Sequence, residues 1–186
     1  MFLDVGIGIL TTIYIGFLFK ANLTVWLLVC GIIFSLLPDV DFIKYFYLKD
    51  KMEGYKHRDA LHLPILYLPI GTLIVYLFLG KVLALIFFVS SFLHFIHDSM
   101  FIGRGIKWLY PFSNNGYAFL YMYSRKVKNG LWKPLFIFNE EKIRLFDSEH
   151  GDADWFKNIY LKWHPFAVLE FTVLIVSLII LFLYVR

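Results

Sequence analysis

The chain has 186 residues, a length suited to one domain, and 60% of them are hydrophobic, well above the roughly 45–50% apolar share of soluble domains. With a mean hydropathy of +0.68, this excludes a water-soluble core as the starting expectation and favours a protein embedded in a bilayer. The net charge of +4 comes from basic residues scattered between apolar runs rather than from a dense stripe, so no nucleic-acid partner is expected and the charges read as membrane-orientation signals.

A helix needs about 20 apolar residues to cross the hydrocarbon core. Five runs approach that length, at about residues 2–19, 22–38, 61–80, 82–102 and 165–185. The first lacks a basic leader and a small-residue cleavage site, so it is expected to be retained. The first two are on the short side, and their separator, Lys20-Ala-Asn22, is brief enough to predict a tight antiparallel pair, with a re-entrant hairpin as the alternative; Gly80-Lys81 joins the third and fourth in the same way. Cys30, the one cysteine, lies inside an apolar run, which rules out a disulfide within the chain. If all five runs span, the N-terminus and both long connections share one face, and that face carries 15 of the 18 basic residues. The positive-inside rule then places it in the cytoplasm.

The expected fold is an all-α integral membrane bundle of about five transmembrane helices with a cytoplasmic-side loop region. Residues 1–115 form its membrane-embedded core, 116–164 an interfacial aromatic-rich connection, and 165–186 the C-terminal transmembrane helix. Within the connection, residues 117–138 hold many aromatics and the turn dipeptide Asn129-Gly130, which suggests a small hairpin at the interface. Asp152 or Asp154 is placed to cap a short helix running to Lys162, with Trp155, Tyr160 and Trp163 at headgroup depth. The acidic stretch Asp147, Glu149, His150, Asp152 and Asp154 lacks calcium-loop spacing and reads as a solvated loop.

On this topology the polar residues gather on one membrane face. Asp4 opens the first run, Asp39 and Asp41 close the second, His57 and His62 open the third, and His94, His97 and Asp98 lie toward the end of the fourth. An ionisable group at the centre of a spanning helix costs roughly 2.5–3.5 kcal/mol, so such groups need partners, a wet cavity or a cation. His94 and Asp98, spaced i, i+4, share a helical face and can chelate one divalent ion. His97 either joins them or orients them. His57 and His62 are about 140° apart around a helix and cannot share a face. Mixed nitrogen and oxygen donors favour zinc, with manganese or iron as alternatives. Each motif taken singly has a plainer explanation. Pro38 with its aspartates can simply end a helix, His57-Arg58-Asp59 can be loop charge, and His94 to Asp98 can be a packing hydrogen bond. Their convergence on one face is what favours a metal.

Leu-Leu-Pro-Asp-Val-Asp (36–41), His-Arg-x-x-x-His (57–62), His-x-x-x-Asp (94–98) and Gly-Ile-Lys-Trp-Leu-Tyr-Pro-Phe-Ser (105–113) resemble the YdjM-like family of membrane-bound metal-dependent hydrolases over about residues 1–115. That family is similar in ligand pattern to the helical zinc-dependent phospholipase C and nuclease group. The resemblance implies a ligand set drawn from Asp39, Asp41, His57, His62, His94 and Asp98, with Asp4 and His97 as further candidates. Two departures stand out: the family places a histidine early in the first helix where this chain has Asp4, and its His-Arg-Gly-x-Thr-His-Ser segment reads His-Arg-Asp-Ala-Leu-His-Leu here.

The expected activity is hydrolysis of a phosphoester, on a lipid or other amphiphile reaching the site from the cytoplasmic leaflet, through metal-activated water. Asp39 or Asp41 would bind metal or act as general base, and Arg58 would clamp the phosphate. A non-catalytic metal-binding scaffold is the alternative, in which the same residues tie helix ends together. An ion or solute transporter fits less well, since the charges cluster at one face and broken-helix repeats are absent.

Overall fold

The computed structural model describes residues 1–42, 60–100, 105–121, 133–139, 141–142 and 154–186. In chain order these form α1 (Phe2–Leu18), α2 (Val25–Leu36), a 3-10 helix (Leu37–Phe42), α3 (Pro64–Leu79), α4 (Lys81–Asp98), β1 (Gly116–Tyr121), β2 (Lys133–Phe138), α5 (Trp155–Tyr160) and α6 (Pro165–Val185). Each of the five apolar runs thus holds an α-helix, and the described chain is mostly helical with one two-stranded sheet.

Two of these helices, α4 with 18 residues and α6 with 21, are long and apolar enough to cross a membrane. Helices α1 and α3 are apolar but shorter, at 17 and 16 residues, and α2 has 12. The five expected spans are therefore five helices, of which two reach spanning length. The shortening of α2 has local causes at both ends. Thr24 caps its start, the hydroxyl accepting from the Leu27 N–H at 3.2 Å. At its other end Pro38 lacks the N–H that an α-helical ladder needs, and the chain tightens into the 3-10 helix.

The chain divides into two compact units. The first comprises Met1–Val40, Leu66–His94 and Val168–Arg186. In it α1 and α2 are joined by a tight turn in which Lys20 adopts φ 51°. The Ala21 N–H donates to the Gly16 carbonyl at 2.9 Å and the Lys20 N–H to that of Phe17 at 3.2 Å, the paired bonds of a Schellman cap. The two helices then meet at backbone contact, because a Cβ at Gly31 would overlap the Thr12 hydroxyl and one at Gly8 would overlap the Gly31 carbonyl. Below this crossing a core of Ile15, Leu27, Cys30, Phe34, Val75, Leu83, Ala84, Ile86 and Phe87 is buried. Phe87 sits edge-on to Phe34 at 5.3 Å and stacks on Tyr67 at 5.5 Å. The outer faces are apolar too, with Tyr14, Trp26, Leu77, Phe78 and Phe182 all exposed. So many large apolar side chains exposed on the helices suit hydrocarbon rather than water.

The second unit comprises Asp41–Ile65 and Phe95–Ala167. Strands β1 and β2 pair antiparallel from Gly116↔Phe138 to Tyr121↔Lys133, which realises the hairpin expected in 117–138; its Asn129-Gly130 turn lies outside the described residues. The sheet is tied to the end of α4 through Ser99. The Phe119 N–H donates to the Ser99 carbonyl at 2.5 Å, the Trp108 Nε1–H donates to Ser99 Oγ at 2.8 Å, and that hydroxyl donates to the Phe95 carbonyl at 2.7 Å. The short helix expected through Lys162 is α5, which ends at Tyr160; Asp154 stands at its N-cap position but its side chain makes no capping hydrogen bond. Trp163, just beyond it, is exposed. Asp147, Glu149, His150 and Asp152 lie outside the described residues.

Candidate metal centre

The 3-10 helix after α2 decides where two carboxylates point. At about three residues per turn, positions two apart diverge by about 240°, so Asp39 and Asp41 face different ways from one short segment. Asp39 Oδ1 lies 3.7 Å from His94 Nε2. Asp41 Oδ2 lies 2.9 Å from His62 Nδ1 and accepts the Leu61 N–H at 3.2 Å.

His62, at the approach to α3, is fully buried. Its Nε2 lies 3.0 Å from Asp98 Oδ2, and the ring stands edge-on to Phe95 at 6.0 Å. His94, on α4, is fully buried as well. Its Nδ1 lies 3.1 Å from Oδ1 of the buried Asp4 on α1. Both rings therefore follow one scheme: Nδ1 meets a buried carboxylate, Asp41 or Asp4, and Nε2 is turned toward a second acid, Asp98 or Asp39. A carboxylate holding Nδ1–H leaves the Nε2 lone pair free to ligate, which is the usual orienting arrangement behind metal-binding histidines.

One donor atom from each of Asp39, His62, His94 and Asp98 lies within 4.8 Å of the other three, so this His2Asp2 group could hold a metal ion. The donor set fits such an ion chemically. Two imidazoles and two carboxylates match borderline divalent metals, and a cation would neutralise acids that the apolar setting otherwise penalises. The Asp39 side chain is 41% exposed and that of Asp98 12%, so Asp39 is the more accessible of the two carboxylates.

Of the residues singled out in the sequence, the structure gathers Asp39, His62, His94 and Asp98. It sets Asp41 and Asp4 behind them on the Nδ1 atoms. His97 is turned elsewhere, its ring stacked on Phe166 at 5.5 Å and 16°. His57 and Arg58 lie outside the described residues. Asp4 Oδ2 also pairs with the Met1 amine at 2.7 Å. Burial lowers the pKa of that amine, but the charges of Asp4 and Glu170 outweigh it and the net is raised above the ordinary terminal value.

Glu170 was not among the sequence candidates, yet it is fully buried in α6. It is the one acidic residue in that 21-residue helix, which holds no basic residue or histidine, and the cost of inserting a lone acid into lipid is the signal that could have drawn attention to it.

The profile of a family described as YdjM inner membrane protein matches residues 4–186. Neither a curated protein nor a solved structure matches the chain.

Proposed function

The chain belongs to the YdjM inner membrane protein family, and from that premise we propose that it is a multi-pass membrane-bound metal-dependent hydrolase that cleaves phosphoesters of lipids or other amphiphiles. In this reading all five apolar helices are membrane-embedded and the loop-rich face lies in the cytoplasm, as the basic-residue asymmetry favours. The observation that carries the proposal is the His2Asp2 group with its two backing carboxylates. Such backing is what a working metal site needs to fix ring orientation, and a packing hydrogen bond does not require it.

The division of labour follows from position. His62, His94 and Asp98 hold the ion, with zinc favoured by the donor set. Asp41 and Asp4 fix the two rings through Nδ1. Asp39, the most exposed of the four, would take the proton of the attacking water as the new P–O bond forms and the ester P–O bond breaks, the departing alkoxide taking a proton from solvent. A divalent ion there supplies Lewis-acid polarisation of the phosphoryl oxygen and lowers the pKa of water toward about 7. Arg58 is assigned the phosphate clamp on chemical grounds, since a guanidinium fork matches two phosphoryl oxygens.

The test is metal analysis of detergent-purified protein, paired with detection of the alcohol and phosphomonoester formed from phospholipid and lysophospholipid substrates, and of free phosphate formed from phosphatidate. The wild type should carry stoichiometric divalent metal and release product, and His94→Ala with Asp98→Ala should lose both. A protein without metal, or variants that keep full turnover, would overturn the proposal.

One observation favours a second reading, a non-catalytic scaffold. Four protein ligands complete the tetrahedral shell that zinc prefers in structural sites, whereas catalytic zinc keeps a position open. The visible spectrum of the cobalt(II)-loaded protein distinguishes the two. A closed four-coordinate spectrum unchanged by added phosphate or azide supports the scaffold, and a spectrum that shifts on adding either anion supports the hydrolase.

A further inference from the structure

We propose that Glu170 is a positioning residue for the candidate metal centre: from α6 it clamps the first turn of α1 and thereby holds Asp4 against His94. The proposal rests on the metal-centre reading for its consequence, though not for its geometry.

A helix begins with N–H groups that have no partner within the helix, and where they are shielded from water each must be satisfied from elsewhere. Helix α1 has Met1 at its N-cap position, which provides no side-chain hydrogen bond. The cap comes from another helix. Glu170 Oε2 accepts the Phe2 N–H at 3.1 Å and the Leu3 N–H at 3.4 Å, and it lies 3.6 Å from the Met1 amine. Flanking contacts fix the approach, with the Phe2 and Phe171 rings 4.6 Å apart and Gly6 set closely against Val173. A carboxylate so placed also suits the positive end of the α1 dipole.

The next residue after Leu3 is Asp4, whose Oδ1 meets His94 Nδ1 at 3.1 Å. The clamped amides and the orienting carboxylate thus belong to one helical turn. If that turn loosens, slack passes directly into the Asp4–His94 hydrogen bond, and the His94 ring loses what fixes its tautomer and the aim of Nε2. A purely structural role for Glu170 would lower stability without touching the state of that ring. A buried acid in an otherwise apolar helix is an expensive way to gain stability alone.

The experiment reads His94 directly in metal-free protein, reconstituted in nanodiscs with [15N]-histidine and assigned by loss of the signal in His94→Ala. The wild type should show the Nδ1-protonated tautomer hydrogen-bonded to Asp4. Glu170→Leu, which suits the bilayer better than glutamate, should move the signal to that of Asp4→Asn, and in an Asp4→Asn background should move it no further. Glu170→Gln keeps an acceptor oxygen and should restore the wild-type signal. Zinc affinity should fall about 10–100-fold in Glu170→Leu, as for the loss of other orienting partners. An unshifted His94 signal in Glu170→Leu overturns the proposal, whatever the stability of that variant. Should Glu170→Leu fail to fold, Glu170→Asp, which withdraws the carboxylate by one methylene, must shift His94 in the same direction, and a folded variant with an unshifted signal overturns it equally. A wild type that takes up no zinc would sink the metal-centre reading and leave the ring signal to judge Glu170 on its own.

Discussion

Asp41 and Asp98 both touch His62, one on each ring nitrogen, and that difference separates their expected phenotypes. Asp98 belongs to the four-residue group, so Asp98→Asn should abolish stoichiometric metal. Asp41 acts through the imidazole. Asp41→Asn should keep one metal per chain at saturation but weaken affinity about 10–100-fold. Calorimetric titration with zinc separates the two, and equal effects would remove the distinction between ligand and orienting residue. The pairing of His94 with Asp98 was legible in the sequence, because a spacing of four fixes a shared helical face whatever the tertiary structure. Which aspartate backs which histidine was not. Asp41 and His62 are 21 residues apart and Asp4 and His94 are 90 apart, and only the packed chain brings them together. Glu170 was flagged by nothing but its cost in an apolar helix, and its partners, the Phe2 and Leu3 amides, lie 168 and 167 residues away.

At the level of elements, the α1–α2 pair depends on absent side chains. Gly31→Ala would press a methyl into the Thr12 hydroxyl and the Gly8 carbonyl, forcing the helices apart at a cost of about 1–3 kcal/mol. It should lower the thermal unfolding midpoint in detergent. The turn between the same helices points the other way. Lys20 holds a left-handed conformation, φ 51°, at the C-terminal cap of α1, which costs an L-residue with a side chain about 1–2 kcal/mol. Lys20→Gly should therefore raise the midpoint, and an unchanged midpoint would show that the cap frays in solution. The tight antiparallel turn was legible from the brevity of its separator. The true length of α2 was not, since hydropathy counts Leu23, Leu37 and Pro38 as apolar while Thr24 and Pro38 set where the helix starts and stops.

For the whole molecule, the sequence foretold an integral membrane protein, and membership of an inner membrane protein family over residues 4–186 agrees. The first two runs read as short for a span, but how far the second falls below spanning length was not legible, because a cap and a proline trim the run that composition joins. Sidedness is open to direct measurement. The proposed five-span topology predicts that Lys81 and Lys162 are reached from opposite compartments. A membrane-impermeant maleimide applied to intact cells should label Lys81→Cys, and Lys162→Cys only after permeabilisation. The reverse pattern would invert the proposed orientation and move the candidate site to the other face. This experiment has an unusual convenience built into the chain. Cys30 is its one thiol and is buried in the first unit, so the native protein should be dark to such reagents. Every introduced cysteine then reports against a blank background, without stripping the chain of residues it needs to fold.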